Sequence, residues 1–139
     1  MPVQADSVQR ILYVEDDPDI RSVAELALVD VGGFEVLLCE SGREALDSID
    51  DFGPDLVLLD VMMPVMDGPE TLQALRARQG GLDAPVVFMT ARLQPSEVEE
   101  YLEMGAIGVI PKPFDPMTLA EQIRQLVSTN QGADRRDLR

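Results

Sequence analysis

Four stretches of this 139-residue chain end an apolar run on a side chain that can do chemistry. "YVEDD" brings Glu15, Asp16 and Asp17; "LVLLDVM" brings Asp60; "VFMTA" brings Thr90 and Ala91; "IPKPF" brings Lys112 between two prolines. Carboxylates crowded into one crevice repel one another unless a cation joins them, and an all-oxygen donor set with room for water suits Mg²⁺. The acids therefore imply a divalent ion. The chain contains no histidine, which excludes Ser-His and Cys-His nucleophile pairs, a His-ligated metal and a phosphohistidine formed on this chain.

Five apolar runs would position these residues: "RILYV" ending at Val14, "FEVLLC" at Cys39, "DLVLLD" at Asp60, "PVVFMT" at Thr90 and "AIGVI" at Ile110. They are nearly continuous rather than alternating, as in parallel strands covered by helices on both faces. Helix signals lie between them. Asp17-Pro18 and Asp115-Pro116 each set a capping carboxylate before a proline, and Ser41/Glu44 and Asp67/Glu70 have capping-box spacing. Gly32-Gly33, Gly80-Gly81 and Gly105 stand where helices should stop. Strand and helix alternate five times, and right-handed crossovers turn that alternation into a doubly wound α/β sandwich. In such sheets ligands bind beyond the carboxyl ends of the strands, where the polar residues above fall.

Composition limits the rest. One domain is expected, spanning 8–129, with 1–7 and 130–139 as flexible ends. A net charge of −15 speaks against nucleic acid and anionic membranes as partners. Cys39 is the only cysteine, no apolar stretch reaches membrane-spanning length, and the polar start lacks a signal-peptide core, so the expected location is cytoplasmic.

Taken together, "ILYVEDD", "LVLLDVMMPVMDG", "VVFMTA" and "PKPF", in this order and spacing from about Arg10 to Val127, resemble the receiver domain of bacterial two-component response regulators. The resemblance implies a (βα)5 flavodoxin-like fold with strand order 2-1-3-4-5. It implies that Asp60 is the phosphoacceptor, taking a phosphoryl group from a phosphohistidine on a histidine kinase or histidine phosphotransfer protein. Asp16 and Asp60 would ligate Mg²⁺ (Mn²⁺ as the substitute) with the backbone carbonyl of Met62, and Glu15 would act through water. Lys112, the Thr90 hydroxyl and the Ala91 amide would hold phosphoryl oxygens. Such a site works by placement and charge neutralisation rather than by a proton shuttle, so a chain without histidine suffices. The phosphorylated form would present an altered surface to a downstream protein whose identity is unknown.

Relatives usually carry Tyr or Phe three residues before the lysine; here that position is Val109. A Thr90 shift is then expected without ring rotation, rearranging the fourth helix, fifth strand and fifth helix. Met62 and Arg92 hold the positions that in relatives tune phosphate lifetime. The resemblance also implies a cis peptide before Pro113, aiming Lys112 inward. With little sequence left after the fifth helix, a stand-alone receiver is expected, though a fragment of a longer chain would read the same.

Duller roles are expected nearby. Asp17 reads as a helix cap, Met62, Met63 and Met66 as adaptable packing, and "SEVEEYLEM" as a solvated helix face. Two other functions are compatible with parts of the pattern. A Mg-dependent phosphohydrolase with an Asp nucleophile would want a second acid two residues on, where Met62 stands. A phosphorylation-independent interaction module would not need the intact set Glu15, Asp16, Asp60, Thr90 and Lys112.

Overall fold

The five apolar runs become five parallel strands in a computed structural model that describes residues 8–137. They are β1 (Arg10–Val14), β2 (Glu35–Cys39), β3 (Leu56–Asp60), β4 (Val86–Thr90) and β5 (Gly108–Pro111), in the order β2-β1-β3-β4-β5. This is the flavodoxin-like topology expected from the sequence. The interior strands β1, β3 and β4 each have a neighbour on both sides; β3 and β4 are buried at every position and β1 at all but Arg10.

Helices α1 (Pro18–Glu25), α2 (Gly42–Phe52), α3 (Gly68–Ala77), α4 (Pro95–Glu103) and α5 (Leu119–Asp137) cover the sheet. Alternate residues of each strand feed two cores. Ile11, Tyr13, Leu56, Leu58, Val87 and Met89 pack with the α1 and α5 side. Leu12, Val14, Val57, Leu59, Val86 and Phe88 pack with α2, α3 and α4.

Local chemistry sets the helix ends. Asp17 caps α1, its carboxylate accepting from Asp19 N and Ile20 N, as its place before Pro18 suggested. Asp67 and Glu70 complete a reciprocal capping box at α3. The Ser41/Glu44 pair makes only half of one: Ser41 caps Glu44 N, but the Glu44 carboxylate reaches Glu40 N instead of closing on Ser41.

Three boundaries differ from the sequence reading. The first helix does not run uniformly to the glycines. It widens after Glu25 into a π-helical segment, Leu26–Val31, closed by a Gly32 N to Ala27 O bond of 3.1 Å. Gly32 is needed there for close approach, since a β-carbon would lie 2.8 Å from that of Ala120; Gly33 follows with φ +77°. Asp115 does not cap α5 directly. Its carboxylate accepts from Met117 N in a turn, and α5 begins at Leu119. At its far end α5 continues to Asp137, past the expected boundary at 129, although Val127 is its last residue in the described core. The expectation for 1–7 lies outside the described residues.

Candidate functional site

Strand register brings the site residues level. Val14 pairs with Leu59, so Glu15, one step beyond β1, stands level with Asp60, the last residue of β3. Thr90 pairs with Pro111, which sets Lys112 one step beyond β4's last residue. The loop after β3 must then fold back sharply. Gly68 N donates to Val61 O, and a β-carbon on Gly68 would lie 2.5 Å from the Asp60 carbonyl oxygen, so only glycine fits.

Glu15, Asp16 and Asp60 each offer a carboxylate oxygen within 4.8 Å of the others. Glu15 and Asp60 are 1% and 2% exposed, whereas Asp16 faces solvent. Lys112 Nζ approaches from the other side, 2.8 Å from Asp60 Oδ1 and 2.9 Å from Glu15 Oε1. At 2.8 Å the Asp60 Oδ1 contact is a short ion pair in a buried site, and Lys112 is the cation that faces this carboxylate.

Burial pushes the Glu15 carboxyl up to about 7, and the Asp60 charge adds to it; Lys112 and the Asp17 amide oppose the rise. Burial alone would lower Lys112, but its two carboxylate partners outweigh that and hold the ammonium above its ordinary value. Lys112 therefore stays charged at neutral pH. The Lys112–Pro113 peptide is cis, as the resemblance implied.

Thr90 ends β4 buried, its Oγ1 accepting from Arg92 N at 3.1 Å. Ala91 is exposed beside it. Ala91 and Lys112 line, with Ile20, Val23, Pro113 and Phe114, an apolar cleft of about 420 Å³. The described geometry thus brings Glu15, Asp16, Asp60 and Lys112 together, with Thr90 and Ala91 at the end of the next strand.

One expectation among the methionines fails. Met62 is not packing: it is 68% exposed, because the loop leaving β3 turns its side chain outward. Met63 is buried in the core, and Met66 is half-buried against Gly42. Val109 is half-buried, facing the same core as Phe88 and Tyr101, whose rings pack 5.1 Å apart. The acidic helix α4 is solvated except along Tyr101, which is buried, and Glu97 and Val98, which are half-buried.

The sequence reading missed two residues that contact the acid loop. Tyr13, fully buried, donates its hydroxyl to Glu15 Oε1 at 3.2 Å. The signal was available: Glu15 directly follows β1, two residues after Tyr13 in extended chain, so the two share a face. Arg21 Nη1 donates to the carbonyls of Glu15 and Asp16. It lies four residues after the Asp17 cap, where a side chain leaning toward the helix N-terminus meets the incoming loop.

A five-stranded parallel sheet in 2-1-3-4-5 order, with an acid pocket and a lysine at its carboxyl edge, defines a flavodoxin-like domain of the receiver class. A family model described as the response regulator receiver domain matches residues 11–124, and the chain belongs to that family. Receiver domains of this family are signalling proteins rather than classical enzymes. Among curated relatives, the transcriptional regulatory protein CpxR of Escherichia coli is 39% identical over 120 residues, covering 86% of this chain and 50% of CpxR. The DNA-binding response regulator MtrA of Mycolicibacterium smegmatis is 37% identical over 123 residues, covering 88% of this chain and 52% of MtrA. The chain spans about half the length of these relatives. Chemotaxis protein CheY4 of Vibrio cholerae superimposes with a TM-score of 0.77 at 33% identity, covering 86% of this chain and 98% of CheY4. Among the described residues no helix is long and apolar enough to cross a membrane.

Proposed function

We propose that this chain is a phosphoacceptor of a two-component system or phosphorelay, with residues 8–129 as the receiver domain and Asp60 as the residue phosphorylated. The observation that carries the reading is the Asp60 carboxylate: buried, at a strand end, level with two further acids within 4.8 Å and with the Lys112 ammonium 2.8 Å away. A carboxylate so placed is held rigidly at the edge where a phosphoryl donor would arrive, with a cation beside it to neutralise the incoming oxygens.

The donor set fits a hard divalent cation. Three carboxyl groups converge within 4.8 Å, two of them buried, and even with Glu15 partly protonated one lysine leaves negative charge unneutralised. Asp16 and Asp60 would ligate Mg²⁺ directly, the Met62 carbonyl would be a third protein ligand, and Glu15 would act through water. When bound, the ion would supply charge neutralisation at the phosphoryl oxygens and between the acids.

The protein's own groups account for the remaining work. Asp60 forms an O–P bond as the P–N bond of a donor phosphohistidine breaks, and the electron pair leaves with the imidazole nitrogen. Lys112 neutralises one phosphoryl oxygen, and the Thr90 hydroxyl and Ala91 amide hold another. The donor is a histidine kinase or histidine phosphotransfer protein, the reader a downstream protein, and the setting cytoplasmic. The transfer is self-catalysed on Asp60, followed by slow loss of the phosphate rather than turnover of external substrate. Exposed Met62, where a phosphohydrolase would carry its second acid, supports this over hydrolysis.

The test is phosphate incorporation from a small phosphodonor such as acetyl phosphate, followed by intact-protein mass. Wild type should gain one phosphoryl group only with Mg²⁺, and Asp60→Asn should gain none. Wild type that never takes up phosphate would refute the assignment.

A further inference from the structure

We propose that Arg21 is a positioning residue for the acid pocket, its guanidinium fixing the β1–α1 connection so that the pocket binds a divalent cation tightly. The proposal rests on the metal-dependent reading above. Arg21 Nη1 donates to Glu15 O at 2.8 Å and to Asp16 O at 3.0 Å, while Nη2 lies 3.8 Å from the Glu40 carboxylate beyond β2. One side chain thus ties together the end of β1, the first turns of α1 and the start of the β2–α2 connection. It is 20% exposed, so its bonds to the loop are partly shielded from water.

The two cations at this edge grip different atoms. Lys112 touches carboxylate oxygens, which a metal or phosphoryl group would also contact. Arg21 touches main-chain carbonyls and leaves the carboxylates free. Asp16 needs this most. Its carboxylate is exposed and takes part in no hydrogen bond or ion pair among the described residues, so only the backbone directs it toward Asp60. Glu15 is anchored independently, by Tyr13 and Lys112. A guanidinium close to a bound dication also repels it, but Glu40 and solvent screen that charge. Orientation should outweigh repulsion, as supporting contacts around metal ligands commonly change affinity by roughly 10–100-fold.

Magnesium binding can be read without phosphate, from the rise in melting temperature on Mg²⁺ titration of the apo protein, and separately from the Mg²⁺ dependence of acetyl phosphate uptake. Arg21→Ala should raise the half-saturating Mg²⁺ concentration roughly 10-fold in both measurements, with the uptake rate at saturating Mg²⁺ nearly retained. Arg21→Lys keeps the charge but not the planar fork and should fall between. If Arg21→Ala does not fold, Arg21→Gln carries the same expectation. Unchanged or tighter Mg²⁺ binding in these variants, or a lower saturating rate at unchanged half-saturation, overturns the role of Arg21. A wild type that does not respond to Mg²⁺ overturns instead the metal reading on which it rests.

Discussion

Lys112 lies 2.8 Å from Asp60 and 2.9 Å from Glu15, so one ammonium, contributed 97 residues after Glu15, is the counter-charge for both buried acids. Truncating it leaves Asp60 buried without a cation, beside a Glu15 carboxyl already pushed up to about 7, a change that typically costs about 3–5 kcal/mol. Lys112→Ala should therefore be strongly destabilised in EDTA and regain much of the loss when Mg²⁺ replaces the missing charge. Urea denaturation with and without Mg²⁺ measures both. Equal losses in the two conditions would mean that the acids do not share a cation site.

Gly68 is the hinge on which the loop after β3 closes. An alanine β-carbon there would meet the Asp60 carbonyl at 2.5 Å and the Val61 α-carbon at 2.9 Å, both main-chain atoms that cannot swing aside. Gly68→Ala should cost about 1–3 kcal/mol and displace Asp60 enough to slow phosphate uptake. Gly53→Ala is the contrast. Its φ of +63° strains any side chain, yet a β-carbon meets nothing within 4 Å, so stability should fall while uptake by the folded protein is unaffected. Uptake reduced equally in both would show that the loop geometry is not what matters.

Cys39, fully buried at the end of β2, makes a prediction in alkali. Burial, with a smaller contribution from Glu44, pushes its thiol up to about 12 from an ordinary 9. Because the folded value is raised, this contribution to stability is complete below pH 9 and is lost as pH climbs from 9 toward 12. Each unit in that window removes about 1.4 kcal/mol at most. Cys39→Ala should lose stability less steeply with pH above 9, and native wild type at pH 8 should resist thiol reagents until it is unfolded. Rapid labelling of the native protein would contradict the burial.

Much of this was legible in the sequence, for reasons that specific residues show. Continuous apolar runs cannot be surface strands, and their polar ends at Asp60 and Thr90 mark the carboxyl edge of the sheet. The Asp17-Pro18 and Asp67/Glu70 signals worked because a cap depends only on neighbours in the chain. Contacts set by tertiary packing were not legible. The π-helical segment Leu26–Val31 lies where α5 packs close, and nothing in "LALVDV" names Ala120 as the reason Gly32 must lack a side chain. Met62 and Met63 are chemically identical and adjacent, yet one is exposed and the other buried, because strand alternation ends at Asp60 and the loop decides. Arg21 resembles any solvated helix arginine until the incoming loop is seen beneath it.

Thr90 and Arg92 form the link through which phosphorylation should be felt. Thr90 Oγ1 accepts from Arg92 N at 3.1 Å, so drawing the hydroxyl toward a phosphoryl group on Asp60 pulls on the connection leading into α4. With Val109 in place of an aromatic, no aromatic ring on β5 can rotate inward; Tyr101 on that core is already packed on Phe88, at 8% exposure. The response should therefore appear as displacement of the segment from Ala91 to Gly105, not as an aromatic flip. Amide NMR shifts with and without beryllofluoride and Mg²⁺ should change along that segment, while the Tyr101 ring signals keep their packed environment. Thr90→Val, which retains shape but removes the hydroxyl, should bind the mimic and abolish most of the shifts in α4. A wild-type segment that stays in place when the mimic binds would eliminate this route of signalling.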